Sequence, residues 1–317
     1  MALQGSGVIR FSDLAAEFSD SKPYSMSEFY RGGSRVPNAT QNNSIPTSGA
    51  IRLGNFYGAT RRITVNLTIS SNTTGYNLKT AANNAGYQAG ITDVNLTVNS
   101  GVYVGSTAAG ANYALTVSGF ASGDIINVTN NGYIIGAGGK GGNGGVATAS
   151  KAPSGGEGGR AIYTNFAMTI TNNGTIAGGG GGGGGGGACK SHGGNLTGCG
   201  ASGGGGGAGY VTGIYGSGSN GINGNGSNGT SGGFTTAGSG GGITYAYGGQ
   251  QSGSYSGAAG NGGTLGNNGA NGNTSSVNYY DWVNMDGGDG GTAGYYAVGN
   301  GNITWAKTGT RLGRVSN

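Results

Sequence analysis

Apolar and polar residues alternate in three stretches: Ile63-Thr-Val-Asn-Leu-Thr-Ile69, Val94-Asn-Leu-Thr-Val98 and Tyr113-Ala-Leu-Thr-Val117. A period of two puts the apolar set on one face of an extended chain, so these stretches predict strands and residues 63–135 read as a β-rich spacer. Leu78, Ala81, Ala82 and Ala85 recur at helical spacing and predict one helix over Tyr76–Tyr87. Upstream, Ser6-Gly-Val-Ile-Arg-Phe-Ser-Asp-Leu14 returns as Ser48-Gly-Ala-Ile-Arg-Leu-Gly-Asn-Phe56. Each copy predicts a turn, a short strand and a helix start. Ser25-Met-Ser-Glu28 has capping-box spacing and is followed by Phe29-Tyr30. A segment as short as 1–62 buries little by itself, which predicts a small docking module. Its candidate docking residues are Phe11, Leu14, Phe18, Phe29, Tyr30, Phe56 and Tyr57.

A second repeat follows. Val128-Thr-Asn-Asn-Gly-Tyr-Ile134 matches Ile170-Thr-Asn-Asn-Gly-Thr-Ile176, and Val298-Gly-Asn-Gly-Asn-Ile303 reads as a shortened third copy. Asn-Gly between β-branched residues predicts hairpins or turns. These pieces flank glycine runs. Of 80 glycines, 64 follow residue 135, culminating in Gly178 to Gly187. Ordering glycine is costly, so this half is either disordered or adopts a fold that needs glycine. The spacing favours the second. Lys140/Asn143, Glu157/Arg160 and Asp286/Asp289 each stand alone among glycines at every third position, whereas glycine itself recurs every third residue from Gly257 to Gly272. Three is the repeat of the polyproline-II helix. Glycine rods of that kind can pack side by side and exchange N–H···O=C bonds, since no Cβ keeps the backbones apart. A rod surrounded on all sides must be all glycine, which predicts 178–187 as the central rod. One side chain per turn predicts a face, and two predict an edge, the place expected for 257–272. The expected fold class is therefore mostly β and irregular: a small N-terminal docking module, a β-rich middle and a C-terminal polyglycine-II helix lattice over 136–317, with little α-helix.

Composition narrows the chemistry. Charged residues are 8% of the chain and the net charge is +5, without a dense basic stripe, so no nucleic-acid partner is expected. No apolar run approaches membrane-spanning length, and the start, MALQGSGVIRFSDL, lacks the features of a secretory signal. Assembly in the cytoplasm without membrane insertion is the expectation. Cys189 and Cys199 bracket a loop, either as a disulfide or as two thiols. With His192 they supply too few ligands for a metal site. A glycosidase needs two placed carboxyls, and acids are sparse beyond residue 136, so no catalytic residue and no cofactor is expected. The segments between rods, 146–154, 188–199, 210–215, 243–255 and 274–285, carry Lys151, Lys190, His192, Tyr215, Tyr245, Tyr247, Tyr255, Tyr279, Tyr280 and Trp282. Aromatics among Ser, Gly and Asn share the chemistry of antibody paratopes, which marks these residues as binding candidates.

Several of these stretches resemble a known class. SGVIRFSDLAAEF, SMSEFYRGGSRVP and IPTSGAIRLGNFYGA resemble a module at the start of many tailed-phage virion proteins. INVTNNGYIIGAGGKGGNGG, MTITNNGTIAGGGGGGGGGG and NITWAKTGTRLGRVSN resemble glycine-rich phage tail-fibre and tail-tip proteins. The glycine half is similar to the T-even-like fibre-tip adhesins, whose polyglycine-II sandwich binds the host through distal loops. The N-terminal module departs from the fibre-docking head of those adhesins. The resemblance implies a virion adhesin that docks to other tail or fibre proteins through residues 1–62. It is either homo-oligomeric or attached to a trimeric fibre, and its receptor is an outer-membrane protein or a glycan. The rival readings are a non-adhesive structural or decoration protein, a polysaccharide depolymerase and an ice-binding protein.

Overall fold

The computed structural model describes residues 2–317 except 147–148, 192–196, 222–224, 246–253 and 278–281. The chain divides into two compact units. One comprises Met1–Leu67, Thr80–Asn95 and Phe120–Asn127, and the other Thr68–Lys79, Leu96–Gly119 and Val128–Asn317.

In the first unit, helix α1 (Phe11–Phe18) buries Leu14 and Phe18. Together with Ile9, Phe29, Val36, Ile45 and Phe56 they form one apolar core. The rings of Phe18, Phe29 and Phe56 meet edge to face, each pair at 6.1–6.3 Å, the arrangement the ring quadrupole favours. The duplicated motif builds two equivalent helix starts. Arg10 N–H donates to Asp13 Oδ2 at 2.7 Å, and Arg52 N–H to Asn55 Oδ1 at 2.8 Å, at the head of the 3-10 turn Leu53–Phe56. Ser25 and Glu28 cap the 3-10 turn Met26–Phe29 as their spacing predicts. The short strands expected in the duplication do not form. Ile9 and Ile51 contribute to the apolar cluster instead of pairing. The predicted helix over 76–87 is shorter, α2 (Leu78–Asn84). Tyr76–Asn77 joins a strand, and Gly86 adopts a positive φ of 91° that ends the helical run.

The strands are, in chain order, β1 (Ile63–Ile69), β2 (Thr73–Thr74), β3 (Tyr76–Asn77), β4 (Thr92–Val98), β5 (Tyr103–Gly105), β6 (Tyr113–Val117), β7 (Ile125–Asn130), β8 (Tyr133–Ile135), β9 (Arg160–Thr164), β10 (Met168–Asn172), β11 (Thr175–Ala177), β12 (Cys189–Ser191), β13 (Thr197–Cys199), β14 (Trp282–Val283), β15 (Tyr295–Val298), β16 (Ile303–Lys307), β17 (Thr310–Leu312) and β18 (Arg314–Ser316). Three five-stranded sheets run β1-β4-β7-β10-β16, β17-β11-β8-β5-β2 and β18-β15-β9-β6-β3. Each successive turn of chain lays one strand in each sheet, which is the topology of a three-sided solenoid. All pairings within the second and third sheets are parallel. Val104, Ile134 and Ile176 stack in register in its buried interior.

The repeated Thr-Asn-Asn-Gly forms a solenoid corner rather than a hairpin. Asn130 and Asn172 stack one coil apart, fully buried, with Asn130 Nδ2 donating to Asn172 Oδ1 at 2.8 Å. Asn172 Nδ2 donates onward to the carbonyls of Thr308 and Thr310. The third copy of this corner is therefore Lys307-Thr-Gly-Thr310. Val298–Ile303 turns a different corner, between β15 and β16. The last coil closes the interior. Trp305 and Arg311 take the registers of Ile170 and Ile176. The Arg311 guanidinium lies 4.7 Å from the Trp305 ring centre and 5.6 Å from that of Tyr296.

The glycine runs leave this solenoid from one corner, between β8 and β9 and between β11 and β15. Rods 136–145, 152–159, 178–187, 201–209, 213–219, 226–232, 238–242, 256–263, 266–273 and 286–294 exchange backbone hydrogen bonds at every third residue. Gly139, Gly142 and Gly145 donate to Gly180, Gly183 and Gly186, an ascending register that makes those rods parallel. Gly180, Gly183 and Gly186 donate to Ala208, Gly205 and Ser202, a descending register that makes those antiparallel. Together the bonds fix three layers. The middle layer is 286–294, 178–187, 201–209 and 226–232. Rods 152–159, 136–145 and 213–219 cover one side, and 266–273, 256–263 and 238–242 the other.

Rod 178–187 is surrounded as its sequence predicts. Every N–H and every C=O from Gly178 to Gly187 is bonded, to six neighbouring rods and Leu312. A second rod, 201–209, also has six neighbours, and its run Gly203–Gly207 is the signal that identifies it. The expected single rod over 257–272 is two rods. Asn267 N–H returns to Thr264 C=O at 3.0 Å and Gly266 takes φ 72° in the turn between them. Neighbour number alone does not set side-chain number. Rod 286–294 has three neighbours yet carries one side chain per turn. A Cβ at Gly287 or Gly290 would strike carbonyls of 266–273, and at Gly288 or Gly291 those of 152–159, leaving only the Asp286/Asp289 direction open.

Candidate functional site

Because the rods alternate in direction, their connections fall into two groups. Among the described residues, 210–212, 233–237 and 264–265 return to the strands, whereas 146, 149–151, 188–191, 197–200, 220–221, 225, 243–245, 254–255, 274–277 and 282–285 lie at the far end. The far loops pair with one another. β12 pairs antiparallel with both β13 and β14, joining 188–200 to 274–285. Tyr255 bridges to Tyr245 and to Ser276, and Lys151 to Asp286. Cys189 and Cys199, directly opposite in β12 and β13, form a disulfide with Cα atoms 5.0 Å apart. Ala188, Ala201 and Met285 plug the lattice beneath them.

The sequence-predicted residues distribute unevenly over this face. Tyr245 and Tyr255 are exposed, with ring centres 5.9 Å apart. Lys151 is exposed and its ammonium lies 2.6 Å from Asp289 Oδ2, an ion pair open to water and hence of small energy. Lys190 and Trp282 lie in β12 and β14. His192, Tyr247, Tyr279 and Tyr280 fall outside the described residues. Exposed Val146, Ile243 and Val283 join the same end, unsuspected because isolated aliphatics in glycine-rich sequence carry no periodic signal.

Two placements differ from expectation. Segment 210–215 is at the solenoid end: Tyr210 stacks on Tyr103 at 5.7 Å, and a Cβ at Gly105 would collide with its ring. Tyr215 projects from an edge rod rather than a far loop. The connection between 213–219 and 226–232 carries no loop signal, since Asn-Gly-Ile-Asn-Gly-Asn225 resembles a Gly-x-x rod. In the first unit, Leu14, Phe18, Phe29 and Phe56 are core residues and offer no surface. Phe11 and Tyr30 are half-buried, and Tyr57 is exposed while its hydroxyl donates to Gly7 C=O. Among the described residues no cluster of three or more His, Cys, Asp or Glu is placed to hold a metal ion. No helix of the described residues is long and apolar enough to cross a membrane.

Residues 64–316 match the family model of the phage tail fibre adhesin Gp38. The chain belongs to this adhesin family. Membership places it in the tail of a virion, as part of the fibre that engages the host. Over 98% of this chain and 99% of the other, it is 22% identical, with a TM-score of 0.43, to a chain of the gp37-gp38 adhesin tip complex of the bacteriophage S16 long tail fibre. No curated protein sequence matches.

Proposed function

We propose that this adhesin contacts the host surface through the far loops of the glycine lattice. The observation that carries the reading is the segregation of connections. Outward rods end in connections of irregular, side-chain-bearing sequence, and three of these are joined to one another by β12–β14 and the Tyr245–Tyr255–Ser276 bridges. The receptor is an outer-membrane protein or glycan, bound without chemical conversion. Several copies per particle turn weak loop contacts into avidity. Residues 1–62 dock to other tail-fibre proteins, with Phe11, Tyr30 and Tyr57 the members of the predicted set that retain surface. Assembly takes place in the host cytoplasm. Replacing 274–285 with the loop of a phage of different host range tests the reading. The graft keeps Ser275 and Met285, which are buried against the lattice, so adsorption should follow the donor loop while the melting temperature stays close to its starting value. Unaltered adsorption after this swap and after swaps of the other far loops would overturn it.

A further inference from the structure

The outer face of the second sheet holds an aromatic stack that stops short. Tyr103, Tyr133, Thr175 and Thr310 are aligned across β5, β8, β11 and β17. The Tyr103 and Tyr133 rings lie parallel, 4.4 Å apart with a 5° tilt. Thr175 follows on the other side of Tyr133, so the space that a third ring would fill is open. A cavity of about 260 Å³ occupies it, lined by Tyr133, Thr175 and Thr310 and by Thr235, Thr264 and Asn267 from the solenoid-end turns of the rods. Leu265 and Leu312 supply its apolar wall. Phe234, 46% exposed, stands beside Tyr103 and Tyr210 at 5.2 and 5.4 Å.

The lining states what would fit. It contains no charged residue, so it offers nothing to a phosphate, a carboxylate or a metal ion. Among the described residues, the hydroxyls of Thr175, Thr235 and Thr310 make no intramolecular hydrogen bond, while Asn267 Nδ2 donates to Thr264 Oγ1 at 2.8 Å. A purely apolar occupant would strip water from those hydroxyls without replacing its hydrogen bonds. A threonine hydroxyl both donates and accepts, as does a sugar hydroxyl. A pyranose also presents a C–H face to an aromatic ring. The volume is below the roughly 300–1,000 Å³ of drug-sized pockets, which sets the occupant at one ring.

We propose that this cavity binds a single neutral hexopyranose, stacked on the free face of Tyr133 and hydrogen-bonded by Thr175, Thr235 and Thr310. It is separate from the far loops, at the opposite end of the rods, and stands whether or not those loops bind the receptor. Such a site would hold a terminal sugar of a host-surface glycan weakly, at millimolar affinity, as one small ring with few polar contacts allows.

The test uses the full chain and the methyl glycosides of glucose, galactose and mannose, with saturation-transfer NMR and titration up to about 100-fold below molar concentration. At least one glycoside should bind, and Thr175→Val and Thr310→Val, which keep shape and remove the hydroxyl, should each weaken it about tenfold. Thr175→Ser and Thr310→Ser should restore it. Tyr133→Ala should abolish the signal. Thr235→Val, in an exposed turn, supplies the same readout if a strand variant fails to fold. Replacing loop 274–285 should leave glycoside binding unchanged. Absence of binding by all three glycosides, binding unchanged in the folded valine variants, or loss on the loop swap alone would each overturn the proposal.

Discussion

At the scale of one residue, the lattice depends on hydrogen atoms where other proteins carry side chains. A Cβ at Gly182 would collide with the Lys140 carbonyl, and at Gly183 with that of Gly260. Backbone on both sides is held by other rods, so it cannot give way. Gly182→Ala or Gly183→Ala should cost at least several kcal/mol or prevent folding, read as melting temperature or soluble yield. Lys140→Ala should be nearly neutral, since that side chain projects from a face. Asn143→Ala should cost about 1 kcal/mol, because Asn143 Oδ1 accepts the Ser217 N–H at 3.1 Å. Asn172→Ala should cost more, roughly 2–3 kcal/mol, since it removes from a buried site the acceptor for Asn130 Nδ2 and the donor to the Thr308 and Thr310 carbonyls. This level was the most legible in the sequence. The central rod and the side-chain-bearing face of 136–145 follow from where glycine is obligatory. The docking residues were less so. Leu14, Phe18, Phe29 and Phe56 look sticky in a short segment, yet they satisfy one another.

At the scale of elements, register is the controlling quantity. Rod bonds repeat every third residue, so deleting one residue from 178–187 rotates all following carbonyls away from their partners. Deleting three keeps every direction and only shortens the rod. The single deletion should therefore destabilise more than the triple, an inversion of the usual length dependence, measurable by thermal unfolding. The solenoid supplies a second case. Trp305→Ala should uncover Ile170 and loosen the last coil, lowering the melting temperature by several degrees. In the first unit, Asp124 accepts from Gly90 and Ala121 N–H at 2.8 Å and from the Tyr87 hydroxyl. Burial, and then the bond to Asp124, push the Tyr87 pKa above its ordinary value. The folded state thus favours the protonated phenol. Its contribution is complete below about pH 10 and is lost as pH rises through the raised folded value, so Tyr87→Phe should flatten the alkaline limb of stability against pH. Strand positions were readable from alternation. Their assembly into stacked coils was not, because a solenoid corner and a hairpin share the same Asn-Gly chemistry and differ only in which strand is met next. The direction of each rod was equally hidden. Tyr210 and Tyr245 both follow glycine runs, yet Tyr210 packs at the solenoid end and Tyr245 pairs at the far end.

At the scale of the whole molecule, the second unit separates what is held from what is shown. Rods 178–187 and 201–209 hold the lattice through backbone bonds, while side chains gather on its faces and far loops. Loop replacement that keeps the buried Ser275 and Met285 should then alter adsorption and leave the unfolding transition in place, the outcome that distinguishes this arrangement from one in which the exposed loop residues also form part of the core. The bonding of Gly178–Gly187 has one more consequence. A run of ten glycines is ordinarily the segment whose amides trade hydrogen with solvent fastest and which proteases open first. Here each of those amides is enclosed by other rods and can be released only when the surrounding layers part. In deuterium they should be among the slowest amides of the protein to exchange, so the tract that composition would assign to the random coil becomes the last to lose its memory of the fold.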